Sequence, residues 1–324
     1  MVVPTVISTF AGCGGSSLGY KLAGFHELLA VEWDDNAVET FKLNFPDVPV
    51  YHGDIVKLTG VECMRLAGIK PGELDVLDGS PPCQGFSTAG KRKFDDPRNS
   101  LFKEFSRLLK ELQPKVFVME NVTGMVKGYM KQVYLVIIKT LRDCGYQAKG
   151  EILNAMYFNV AQSRERVIII GVRKDLGIEP SHPKPQGRPV TVGEVIRNAT
   201  DKIPAMRLGK LETKIPFLKP GEGLGRANAR MGRKSQSGNS TKRLSWNRPS
   251  NTINKTISTG LGGLIHPDEN RYLSISELQT LASFPHSFRF VGKPQKCWAR
   301  IGNSVPPNLM RAIAEHIRQK ILKK

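Results

Sequence analysis

The stretch GSPPCQGFS, Gly79 to Ser87, sets Cys83 directly behind two prolines and ahead of a polar turn bearing a glycine. Proline fixes φ and restricts the residue before it, so Pro81 and Pro82 can hold the thiol in one orientation. An unperturbed thiol, with a pKa of roughly 8.5, is only slightly ionised near neutrality, so a nucleophilic role needs positive neighbours or coupling to an acid. Taken alone, a loop cysteine is more often inert than catalytic. Its company separates the two. MENV (119–122) closes a predicted strand with Glu120 and Asn121, and AQSRERVIII (161–170) brings Arg164 and Arg166 to the start of another. A thiol, a carboxyl, an amide and guanidinium groups together suit attack on an electron-poor ring and stabilisation of the adduct.

A second group has the make-up of a nucleoside pocket. ISTFAGCGGSSLGY (7–20) places Gly12, Gly14 and Gly15 between a strand and a helix, where glycine permits a tight turn and close approach of a ligand to the backbone. The spacing G-x-G-G is not the dinucleotide fingerprint, so NAD is not implied. About 20 residues on, VEWDD ends the second strand with Glu32, placed to hold ribose hydroxyls, and Trp33, able to stack on a purine. A helix-capping acid and a core tryptophan are the structural alternatives. GDI (53–55) follows the third strand, where Asp54 can accept a hydrogen bond from an exocyclic amine.

These residues need a scaffold that gathers strand ends. The first ~175 residues alternate β-rich runs with helical stretches, the pattern of a mostly parallel sheet flanked by helices. Strands are predicted at TVIST (5–9), HELLAVE (26–32), VPVYH (48–52), LDVLD (74–78), KVFVME (115–120) and RVIIIGV (166–172), with helices near 35–44, 99–112 and 130–143. At about residue 178 the texture changes to a linker, GIEPSHPKPQGRP, with four prolines and two glycines. The stretch to about 250 is rich in Gly, Ser and Asn, and its secondary structure is not legible. RYLSISELQTLASFP (271–285) recovers helical periodicity, and a turn and terminal helix follow in IGNSVPPNLMRAIAEHIRQKIL.

The chain has 324 residues, 40% hydrophobic, enough to bury a core in one large or two smaller domains. No apolar run reaches membrane-span length and the start lacks a signal-peptide layout, which predicts a soluble cytoplasmic protein. Five scattered cysteines (Cys13, Cys63, Cys83, Cys144, Cys297) form no C-x-x-C pair, arguing against a disulfide framework and a structural zinc site. Net charge is +19, and Lys184–Gly260 holds 16 Lys and Arg against 4 Asp and Glu. A localised basic block is the footprint of a polyanion-binding surface; a solvated face or a lipid anchor are the alternatives. No amphipathic helix accompanies it, which favours nucleic acid over membrane.

In order and spacing, FAGCGG, VEW, GDI, GSPPCQGFS, ENV, QSRER, RYLSISELQTLASFP and GNSVPP closely resemble the sequence blocks of the cytosine-C5 DNA methyltransferases of bacterial and phage type. The resemblance covers roughly residues 5–175 and 240–324, leaving out the basic middle. It implies an α/β fold of the S-adenosylmethionine-dependent methyltransferase (Rossmann-like) kind, a mixed, mostly parallel sheet with helices on both faces, plus a smaller basic target-recognition domain. The implied domains are a catalytic domain at 1–183 completed by 297–324, a recognition domain at 184–270, and an organising segment at 271–296 containing Glu277 and Leu281.

The resemblance also implies roles. The Cys83 thiolate would add to cytosine C6 while Glu120 hydrogen-bonds or protonates N3; Arg166 would contact O2, with Arg164 supporting the site and Asn121 fixing the loop. Glu120 would need a raised pKa in the complex. S-adenosyl-L-methionine would lie against Phe10, Gly12, Gly14, Glu32, Trp33, Asp54, Ile55, Pro82, Leu101, Asn303 and Val305, leaving as S-adenosyl-L-homocysteine, with no metal. Leu101 and Val305 fit ordinary core equally well, and Cys13 is assigned no chemistry. The target base must leave the duplex stack, and QGFSTAGKRKFDDPRN has the make-up of a loop that closes over flipped DNA. Gln84, Ser87, Lys91 and Arg92 would contact its backbone; Arg226, Arg230 and Arg233 are candidates to read guanine edges, with Thr252 at the end of the region. Double-stranded DNA is the expected partner of a monomer, with a restriction endonuclease acting on the same site a possible companion. A transfer-RNA cytosine-C5 methyltransferase and a catalytically silent sequence-specific DNA-binding protein are the alternatives.

Overall fold

The computed structural model describes residues 2–82, 100–128, 130–232, 241–257 and 263–323. Cys83, Gln84, Ser87, Lys91, Arg92 and Arg233 therefore lie outside the described residues. The chain divides into two compact units, one of residues 1–154, 165–184 and 310–324, the other of residues 155–164 and 185–309.

The first unit is built in chain order from β1 (Thr5–Thr9), α1 (Gly15–Leu22), β2 (His26–Glu32), α2 (Asp35–Asn44), β3 (Val50–His52), α3 (Gly60–Ala67), β4 (Val76–Gly79), α4 (Ser100–Leu112), β5 (Val116–Val122), α5 (Met130–Asp143) and β6 (Tyr146–Asn154). After the two-residue β7 (Gln162–Ser163), which belongs to the second unit, β8 (Glu165–Arg173) completes the sheet. Its seven strands lie in the order β3-β2-β1-β4-β5-β8-β6. β1 to β5 pair in parallel, and β8 runs antiparallel to both its neighbours. Strands buried on both faces read as apolar runs, and β5 is buried from Val116 through Asn121. Ile7, Leu29, Phe105, Phe117 and Ile169 belong to one hydrophobic cluster at its centre.

From β1 the order runs outward to β2 and β3 on one side and to β4 and β5 on the other. Such a switch point opens a crevice at the carboxyl ends of the strands, the usual ligand site of open α/β sheets. The glycine turn leaves β1 and residues 80–82 leave β4 at this edge. Gly79 permits their close approach: a Cβ there would collide with the Thr9 hydroxyl and the Phe105 ring.

Sequence periodicity located every strand of the sheet except β6. YQAKGEILN carries Lys149, Gly150 and Glu151 at its centre, residues that read as loop. They suit an edge strand, where charge discourages pairing with other chains.

Among its described residues the second unit has little regular structure. It contains α6 (Val192–Val195), α7 (Leu224–Arg230), β9 (Lys242–Arg243), β10 (Ser250–Asn251), β11 (Leu264–Ile265), α8 (Ile275–Leu281) and α9 (Pro294–Asn303). Residues Pro307–His316 form α10, which continues into a π-helical turn at Ile317–Leu322. A capping box starts α8: the Ser274 hydroxyl accepts from Glu277 N, and the Glu277 carboxylate accepts from Ser274 N.

Arg243 organises much of the rest. Its buried guanidinium donates to the carbonyls of Leu218, Ile215, His266 and Glu269 and to the Asn270 side chain at 2.5–3.0 Å. One cation so ties the 215–218 segment to the 266–270 segment.

Candidate active site

The approach to Cys83 is held from both sides. Thr9 Oγ1 donates to the Asp78 carbonyl at 2.9 Å, and Asn121 Nδ2 donates to the Pro81 carbonyl at 3.0 Å. The Asn121 carbonyl oxygen accepts from Val122 N at 2.9 Å, fixing the amide's orientation. The chain is thus pinned from β1 and from β5 just before the cysteine.

Glu120 lies next to that anchor, at the end of β5. Across the antiparallel pair, Glu120 stands opposite Ile168 and Val122 opposite Arg166, so Glu120 and Arg166 are diagonal neighbours on one face. Arg166 Nε is 2.8 Å from Glu120 Oε1, with side chains only 13% and 11% exposed. The pair joins a hydrogen-bond donor group to a carboxyl at the carboxyl edge of the sheet, a combination able to recognise an amide-like ring face.

The remaining first-unit residues gather at the same edge. Phe10 adopts a left-handed conformation at φ 56°, unusual for a residue with a side chain, followed by Gly12 at φ 57° and Gly14 at φ 97°. This turn tightens the passage from β1 into α1, which Gly14 caps. Glu32 supports it: Oε2 accepts from Gly12 N at 2.8 Å, and Oε1 accepts from Trp33 N and Asp34 N at 2.9 Å. Trp33 is 76% exposed, so the core alternative for it is excluded. The helix-cap alternative for Glu32 is also excluded, because Asp34 caps α2. The Asp54 carboxylate caps the short turn at Ile55–Lys57 by accepting from Val56 N. Pro82 is exposed, Leu101 half-buried and Ile55 buried.

Others among the expected residues fall in the second unit. Arg164 is buried there, with Nη1 donating to Gly302 O at 3.0 Å and Ile253 O at 3.4 Å. Thr252 Oγ1 donates to Ser163 O at 2.9 Å, so Arg164 and Thr252 tie the same two segments together. Asn303 ends α9 and is exposed, whereas Val305 is buried. On α7, Arg230 is clasped by Glu222 through two contacts of 2.6 Å, whereas the Arg226 side chain is 77% exposed.

Two structural arginines escaped the sequence reading. Arg271 forms two 2.8 Å bonds to the buried Glu277, which holds its guanidinium above the ordinary range, and Arg243 is the loop organiser described above. Both stand among basic residues that composition treats alike. Among the described residues no cluster of three or more His, Cys, Asp or Glu suits a metal ion, and no helix is long and apolar enough to cross a membrane.

Residues 4–319 match the family model described as C-5 cytosine-specific DNA methylase. The chain is 37% identical to the Type II methyltransferase M1.HphI of Haemophilus parahaemolyticus, over 97% of this chain and 86% of the relative. It is 35% identical to the Type II methyltransferase M.Sau96I of Staphylococcus aureus, over 96% and 75%. In fold it resembles a DNA modification methyltransferase encoded within an E. coli prophage, with TM-score 0.81 and 24% identity over 99% of this chain and 100% of the other. It also resembles DNMT2 of Spodoptera frugiperda, with TM-score 0.67 and 21% identity over 95% and 97%.

Proposed function

The chain belongs to the C-5 cytosine-specific DNA methylase family, and from that premise we propose that it methylates C5 of a cytosine rotated out of a specific duplex DNA sequence, through a bond from Cys83 to C6. As a member of this family it is an enzyme of DNA methylation. The observation that carries the finer reading is the Glu120–Arg166 pair, set beside the Asn121 anchor of the chain leading to Cys83.

C5 of cytosine is too weak a nucleophile to take a methyl group unaided. Addition of the Cys83 thiolate to C6 supplies an electron pair to the ring, and a proton held by Glu120 at N3 lets that pair settle on C5 as an enamine. Arg166 donates to O2 and balances the charge that develops there. Once C5 has taken a methyl group, loss of its proton and expulsion of Cys83 restore the aromatic ring. S-adenosyl-L-methionine supplies the electrophilic methyl group and departs as S-adenosyl-L-homocysteine. The left-handed glycine turn, the Glu32 carboxylate and the exposed Trp33 fit that molecule's amino-acid, ribose and adenine portions. Phe10, Asp54, Ile55, Pro82 and Leu101 complete its surroundings in the first unit.

Residues 184–270 serve as the recognition region in this reading, with 271–296 organising it. Their lysines and arginines bind phosphate, with Arg226 and Arg233 available to read guanine. Gln84, Ser87, Lys91 and Arg92 hold the DNA backbone near Cys83. The protein acts as a cytoplasmic monomer beside a restriction endonuclease of the same specificity, a pairing suggested by its Type II relatives.

Cys83→Ala tests the mechanism. Methyl transfer to duplex DNA and the covalent adduct with 5-fluorocytosine DNA should both vanish while DNA binding survives. Turnover in that variant would refute the covalent step. Binding without any adduct in the wild type would point to a silent DNA-binding protein, and preference for transfer RNA in parallel assays would redirect the substrate.

A further inference from the structure

A set of polar groups is sealed beneath the glycine turn, apart from the residues given roles above. Tyr20 and Ser17 of α1, Glu27 of β2 and Asp78 of β4 are all buried. Tyr20 OH donates to Asp78 Oδ1 at 3.3 Å, and Ser17 Oγ donates to Glu27 Oε1 at 2.9 Å. Ser16, in the first turn of α1, also hydrogen-bonds the Asp78 side chain.

The charged groups acting on Asp78 are Glu27 from β2 and Glu120 from β5, both acidic; α1 offers it only hydroxyls, including the titratable phenol of Tyr20. Among the described residues no cation acts on Asp78; two buried carboxylates without one are costly, and the usual resolution is to keep a proton. Burial and these two acids push Asp78 well above the ordinary carboxyl range. The neutral carboxyl keeps both hydroxyls bound, accepting from Tyr20 and still having a second oxygen to offer Ser16.

Position gives this bond its significance. Asp78 is the last residue but one of β4, five residues before Cys83. Its partners sit on α1, which begins at the glycine turn. We propose that Asp78 is a positioning residue for methyl transfer: as a neutral acid it fastens the helix carrying the cofactor turn to the strand that delivers the chain to Cys83. The inference rests on the reaction proposed above. Its benefit is geometric, because donor and nucleophile on separate elements must stay in register for the base between them to react.

Three variants and two kinds of readout test this. Infrared difference spectra at pH 8, where Glu27, raised to about 7, is mostly ionised, should show a protonated-carboxyl band that Asp78→Asn removes. Asp78→Ala should lower kcat at least about thirtyfold without weakening DNA binding, and Asp78→Asn, neutral and of the same shape, should restore kcat to within about threefold of wild type. Tyr20→Phe should raise KM for S-adenosylmethionine about three- to tenfold with kcat nearly constant. Absence of the band, its survival in Asp78→Asn, or wild-type kinetics in both Asp78→Ala and Tyr20→Phe would overturn the assignment. If Asp78→Ala does not fold, Tyr20→Phe and the spectrum decide alone. The spectrum needs no turnover, so a failure of the methylation reading would appear separately, as wild-type protein that transfers no methyl group.

Discussion

Arg166 and Glu120 meet at 2.8 Å across two antiparallel strands, one near the start of β8 and the other near the end of β5. Each holds the other in place before any substrate arrives, so little reorganisation is needed when the base enters. Arg166→Ala should therefore lower the single-turnover methyl-transfer rate by about 10²–10³ while leaving DNA affinity nearly intact. Arg166→Lys should recover little, because a point ammonium cannot keep the planar contact with the carboxylate and also reach a second acceptor.

Glu32 supports the glycine turn by accepting from Gly12 N, Trp33 N and Asp34 N. Glu32→Ala removes those bonds and the proposed ribose contact together. Calorimetric titration with S-adenosylhomocysteine should show an affinity loss of at least about tenfold, or about 1.4 kcal/mol. An unchanged affinity would place the cofactor elsewhere.

Burial raises Glu27 from 4.5 to about 7. Between those values the folded chain keeps a proton that the unfolded chain has released, so this residue makes stability fall as pH rises from about 4.5 to about 7. The full effect is about 3 kcal/mol. Glu27→Gln abolishes it, so the variant's stability relative to wild type should improve between pH 4.5 and pH 8. Parallel denaturant titrations at the two pH values measure the difference.

Arg243 is buried among carbonyls, and burial pulls it below the ordinary arginine range. Arg243→Ala leaves those acceptors without a donor and should destabilise the second unit by about 3–5 kcal/mol. Limited proteolysis should then cut within 185–309, and DNA affinity should fall. Arg243→Lys should not rescue, because three donors on one nitrogen cannot span the positions that the guanidinium reaches.

The sheet was legible wherever burial on both faces imposed apolar runs, as in TVIST and RVIIIGV, and illegible at β6, whose exposed edge carries Lys149 and Glu151. Motif order marked the edge residues Glu120, Asn121 and Arg166. Their contacts depend on register between distant strands, which no local pattern encodes. Charge counting grouped all the basic residues of 184–260 together. The structure separates them: Arg226 is exposed, Arg230 is clasped by Glu222, and Arg243 is internal. A side chain's partner is a tertiary fact, and composition carries none. The left-handed Phe10 was hidden for a similar reason, since its conformation follows from the turn around it.

The reversed direction of β8 makes spacing a heritable constraint of its own. Because successive side chains alternate faces, losing one residue from β8 while its pairing with β5 holds would turn Arg166 to the opposite face. Substitutions along this strand alter one side chain at a time and leave the others in register. A single-codon deletion changes no neighbouring amino acid yet turns every strand side chain on one side of it to the other face. Lineages of this sheet can therefore drift in composition while the count of residues between Arg166 and the end of the strand stays fixed.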